Sequence, residues 1–160
     1  MSGMSRIVKT ITSVAFPLVL IYGLYIIAHG HLTPGGGFQG GAVVASGCAL
    51  VLVAFGSTWA MGKMKEKNLS ILESLGALGF IGLALFGLVF GLNVFFNNFL
   101  VGTSGLDIIF NNPAIGTADI NTAGVLPFMN FAVGLKVIAG LFAIVLVMAY
   151  AISHKEGIEE

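Results

Sequence analysis

The sequence predicts an all-α, polytopic membrane protein with four transmembrane helices, and three observations carry that reading. Of 160 residues, 57% are hydrophobic and only 9% charged. Soluble domains carry about 25% charged residues, so this chain lacks the polar surface to face water all round. Its apolar residues fall into four runs, each longer than the ~20 residues needed to cross ~30 Å of hydrocarbon. Finally, all basic residues outside those runs lie on one side of them.

The first span is expected at about 7–29, and Pro17 should kink it. The run is too long for a signal peptide and ends in His-x-x-Pro-Gly, so no cleaved leader is expected. A second span follows at about 38–62. The connection at 63–70 is short and charged, and Ser70 with Glu73 has the Ser-x-x-Glu spacing of a capping box opening the third span, at about 71–96. Residues 97–124 form the one long loop, rich in Asn, Gly and Thr, with turn signals at Asn111-Asn112-Pro113 and Thr117-Ala118-Asp119. The fourth span covers about 125–152, and the whole of 1–160 reads as one membrane domain.

Charge sets the expected orientation. Arg6, Lys9, Lys63, Lys65, Lys67 and Lys155 share one side, while the loops around Pro34 and Asp107 have no Lys or Arg. By the positive-inside rule both termini are cytoplasmic, and the chain is a multi-pass protein of the plasma membrane. Seven basic residues balance seven acidic ones, so nothing points to nucleic acid. Cys48 is the single cysteine, which rules out an internal disulfide or a cysteine metal cluster and leaves a small packed hydrophobe. Phosphate-loop, nucleophile-elbow and dinucleotide motifs are all missing, so the chain is not expected to be an enzyme by itself or to hold a cofactor.

The stretch that organises the chain is the turn between the first two spans, residues 30–41, with six glycines in twelve residues. Pro34 should end the first helix, and Gly35, Gly36 and Gly37 leave backbone groups bare of side chains before Phe38 opens the next run. Bare backbone is costly in lipid and tolerable at the membrane surface, or where protein or water surrounds it. The last carbonyls of a helix lack intrahelical donors, so a partly dehydrated cation could approach them here while Phe38 narrows the passage. The alternative is that the same residues only shape a tight corner. Glycines also recur at 36/40, 37/41, 87/91 and 76/79/82, spacings that let helix backbones approach closely in lipid.

Lys136 is the one cation near the middle of a span, where its insertion costs about 2.5–3.5 kcal/mol, so it should face protein or water. It reads either as a proton relay or as one half of a buried pair, and no acidic residue of this chain is expected at its depth. Glu73, near the cytoplasmic start of the third span, reads as a helix cap or as a point where protons enter. Asp107 and Asp119 are expected to be solvated in the outer loop. His29 and His31 are spaced wrongly for two ligands on one helical face, so no metal site is expected; His31 reads as a polar gate or as a hydrogen-bonded interface histidine.

The run Gly30-His31-x-x-Pro34-Gly35-Gly36-Gly37-Phe38-x-Gly40-Gly41 resembles the signature of the MnhB/MrpB family, the B subunit of multisubunit Mrp-type cation/proton antiporters. Related subunits occur in the ion-pumping modules of membrane-bound hydrogenase and sulfur-reducing complexes. The segment 130–137 lies where many antiporter members have an acidic residue and a tyrosine; here Asn130 takes the acidic place and Lys136 is extra, a form similar to the hydrogenase-type members. The resemblance implies a subunit that exchanges no ions alone. It would contribute to a sodium path and to assembly with other membrane subunits and lipid, within an antiporter or within the membrane arm of a redox complex, and would bind no redox cofactor itself. Na+ is then the expected transported ion, with Pro34, Gly35, Gly36, Gly37, Phe38 and His31 along its route.

Overall fold

The computed structural model describes residues 4–32, 34–63, 65–90, 95, 100 and 123–156. The expected turns at 111–113 and 117–119, and Asp107 and Asp119 with them, lie outside the described residues. The helices are α1 (Arg6–Ala28), α2 (Gly36–Phe55), α3 (Ser57–Lys63), α4 (Glu66–Phe90) and α5 (Leu126–Glu156), with no strand among the described residues. Four of them, α1, α2, α4 and α5, are long and apolar enough to cross a membrane, as the hydropathy predicts.

Their boundaries depart from the sequence reading in three places. The run expected as one helix over 38–62 is broken by Gly56, whose φ of +94° favours glycine; it caps α2 by donating its N–H to the Leu52 carbonyl at 2.9 Å, and α3 follows as a separate piece. At its other end α2 takes in Gly36 and Gly37, because the turn is made by Gly35 at φ +119°, whose carbonyl accepts the Gln39 N–H at 3.3 Å. Helix α4 begins at Glu66, five residues ahead of the expected start. The Lys65 carbonyl accepts the N–H groups of Asn68 and Leu69 at 3.0 and 3.3 Å. Leu69 is buried with Leu52, Ala60, Phe142 and Leu146, so tertiary packing draws an extra turn into the helix. Ser70 therefore lies inside α4, its carbonyl accepting the Ser74 hydroxyl at 2.9 Å, and the capping-box role for Ser70 and Glu73 falls away.

The spatial order is α1, α2, α5, α4: α2 packs on both α1 and α5, and α5 packs on both α2 and α4. Accordingly 39% of the α2 span is buried, against 17% for the flanking spans α1 and α4. Helices α1 and α2 meet backbone to backbone: a Cβ on Gly40 would stand 2.6 Å from the Gly23 carbonyl oxygen. At the end bearing most of the basic residues, Cys48 packs against the Leu52–Phe142 cluster as a small hydrophobe, and the Lys9 ammonium stands 5.9 Å from the centre of the Phe55 ring. Near the other end Ala84, Val125 and Met129 join α4 to the start of α5. Large apolar side chains such as Ile7, Leu78 and Val89 stay exposed along the flanks, a surface suited to lipid or to other membrane chains.

Candidate functional site

The corner between α1 and α2 is built as three layers: the end of α1, the turn, and a polar residue brought in from α5. Helix α1 ends at Ala28, and His29 caps it by donating its N–H to the Tyr25 carbonyl at 2.9 Å. The His29 ring stacks on Tyr25 at 4.2 Å between centroids. Gly30 N–H bonds the Ile27 carbonyl at 3.3 Å and Leu32 N–H bonds that of His29 at 2.9 Å. The turn thus satisfies several of the helix-end carbonyls that the sequence left bare. His31 lies half-buried within this turn.

The six expected path residues divide by environment. Gly36 and Gly37 are buried, whereas Pro34 and Gly35 are exposed and Phe38 is 61% exposed, directed away from the chain's own core. What buries the two glycines is Asn130, one turn into α5. A Cβ on Gly37 would collide with the Asn130 carbonyl oxygen, and one on Gly30 would stand 2.7 Å from the Asn130 amide nitrogen Nδ2. At Gly36, with φ +48°, the space a side chain would fill is faced by two oxygens. A Cβ there would lie 3.0 Å from Asn130 Oδ1 and 3.4 Å from the Gly30 carbonyl. Hard cations prefer uncharged or anionic oxygen ligands of this kind, and such ligands burden the membrane with no buried charge.

Asn130 is the residue that sequence reasoning did not place in the corner. A signal was present: it is the single amide side chain in the fourth apolar run. Only the packing of α5 against α2 shows which glycines it meets.

Lys136 and Glu73 form a second polar locus, away from the corner, where α4 crosses α5. Gly76 is buried there because a Cβ on it would stand 2.8 Å from the Lys136 backbone nitrogen and 2.9 Å from Lys136 Cβ. Lys136 itself is exposed. Glu73 is half-buried, its carboxyl 3.5 Å from where a Cβ on Gly140 would be. Gly140 follows Lys136 by one helical turn, so an acidic group does lie within about 6 Å along the axis of Lys136, and the expectation of none at its depth is corrected. The earlier start of α4 explains this, since it moves Glu73 two turns into the helix. Among the described residues no group of three or more His, Cys, Asp or Glu could hold a metal ion.

Comparison with known proteins adds to this geometry. The model of a domain related to the MnhB subunit of Na+/H+ antiporter matches residues 7–143. An uncharacterized protein of Methanocaldococcus jannaschii is 39% identical over 147 residues, which is 88% of this chain and 52% of that protein. The antiporter subunit mnhB2 of Staphylococcus saprophyticus is 41% identical over 49 residues, 31% of this chain and 35% of its own. The chain thus spans about half the length, or less, of these curated relatives. Among solved structures, a chain of the membrane-bound sulfane sulfur reductase, an archaeal respiratory membrane complex, superposes with a TM-score of 0.68 at 28% identity, covering 92% of this chain and 59% of that one.

Proposed function

We propose, for a chain that belongs to the family of domains related to the MnhB subunit of Na+/H+ antiporters, a share in the cation path of a multisubunit sodium/proton antiporter module. The observation that carries this reading is the pair of oxygens, Asn130 Oδ1 and the Gly30 carbonyl, facing the empty side of Gly36 next to an outward-facing Pro34, Gly35 and Phe38. A sodium ion that sheds part of its water near the corner would find uncharged oxygens. Phe38, on the outer face of α2, would give an apolar wall to the gap between this chain and its neighbour, so that ions pass only when partly dehydrated. His31 would serve as a polar group beside that gap, and Lys136 with Glu73 would stand on the proton side of the coupling. Arg6, Lys9, Lys63, Lys65, Lys67 and Lys155, gathered at one end of the spans, support cytoplasmic termini in a plasma-membrane complex, with the corner toward the outside.

A second reading is favoured by the similarity to the sulfane sulfur reductase chain: the same subunit working in the membrane arm of an energy-converting hydrogenase or sulfur-reducing complex. In either setting this chain holds no redox cofactor, and partner chains supply the chemistry. Membrane vesicles from cells lacking the chain should lose sodium-dependent dissipation of a pH gradient, and the restored gene should return it. Unchanged sodium-dependent exchange without the chain would refute the path role. Purification in mild detergent separates the two parents, since nickel–iron, flavin or iron–sulfur partners identify the redox complex.

A further inference from the structure

We propose that the outer side of the α4–α5 crossing is a docking face for a transmembrane helix of another subunit, one that presents a carboxylate to Lys136. The inference rests on the reading of this chain as part of a larger assembly. Lys136 lies ten residues from Leu126, about 15 Å along the axis of α5, near the middle of the span Leu126–Ile152. From that depth a four-carbon stem does not reach either membrane surface, so the ammonium cannot be rescued by snorkelling to water or to lipid phosphate. Yet its side chain is exposed. Among the described residues it makes no ion pair, and the acid that shares the crossing, Glu73, is held against Gly140 instead.

The surroundings fit a helix and not a water-filled cleft. Lys136 Cβ stands beside Gly76, and Leu75, which adjoins Gly76 and lies one turn before Gly79 on α4, is 55% exposed. Helix α4 packs on α5, and a Cβ on Gly82 would meet nothing within 4 Å. A cation at this depth that makes no ion pair, with Glu73 lying against Gly140, calls for an opposite charge from outside the chain. A carboxylate on a membrane helix supplies it, whereas lipid tails do not.

The test uses the complete complex in its native membrane. A photo-crosslinking residue, p-benzoylphenylalanine, placed at Leu75 should join this chain to one membrane subunit on illumination. Lys136→Glu should lower the amount of that subunit recovered with the tagged chain by about tenfold or more, since like charges then face each other. Lys136→Met should lower it less, and a carboxylate→Lys change in the cross-linked segment should restore recovery in Lys136→Glu. Glu73→Gln should leave recovery unchanged. Cross-linking to lipid alone, wild-type recovery with Lys136→Glu, or equal loss with Glu73→Gln would each overturn the docking face. Should Lys136→Glu be degraded, the cross-link in the Lys136 background decides. If the wild-type chain brings down no membrane subunit at all, it is the subunit reading that fails, and the two failures are thereby told apart.

Discussion

At the corner, Gly30, Gly36 and Gly37 close around one neutral amide, Asn130, while at the α4–α5 crossing Gly76 brings two backbones together and leaves Lys136 on the outside. Glycine gives close approach in both places, and the difference lies in the polar group. A neutral amide can be half-buried within a single chain, because its desolvation costs far less than that of a full charge. A full charge at mid-membrane needs a counter-charge, and Glu73 is turned toward Gly140. The corner is therefore nearly complete within this subunit, whereas the crossing is half of a site. Phe38 and Pro34 mark the exception at the corner, since they too face outward.

The largest effect should come from filling the corner. Gly37→Leu would drive a side chain into the Asn130 backbone, which cannot yield as a flexible side chain can; a loss of about 3 kcal/mol or more is expected, read as loss of folded subunit from membranes and a lower melting temperature in detergent. Wild-type melting would break the claim that the corner is closed by backbone contact.

Asn130→Ala should come next. Removing the amide opens a small void beside Gly30 and Gly36, for about 1–2 kcal/mol, and should also weaken the apparent sodium affinity of the assembled complex. A stability loss with no change in sodium affinity would make Asn130 a wedge and remove it from the path.

Two changes outside these contacts should do little. Gly82→Ala meets open space and should cost nothing, with a gain of up to about 1 kcal/mol by thermal melting because alanine is the better helix former. Ser70→Ala should be equally mild by thermal melting, because Ser70 is interior to α4; a loss near 1 kcal/mol, typical of a helix cap, would restore the capping box.

Four spans were legible because hydropathy alone encodes them, through run length and sparse charge. The break at Gly56 was not, since glycine is common within membrane helices and the apolar run continues past it. The charged residues at 65–67 read as a loop, whereas burial of Leu69 draws Glu66 and Lys67 into the first turn of α4 and carries Glu73 deeper into the helix. Pro34, Gly35 and Phe38 were readable as a corner from local rules. That Asn130 closes it depends on two helices far apart in sequence, which no local pattern records.

Whether the outward side of the corner borders a cation path is decided by sodium titration of Phe38→Leu in the assembled complex. Phe38 is exposed in this chain, so the change should spare the subunit's own packing. Transport or turnover measured over a range of sodium concentrations should show a shifted apparent sodium affinity or maximal rate with subunit recovery unchanged. A fully assembled variant with wild-type sodium affinity and wild-type rate would contradict the account and leave the corner as packing alone.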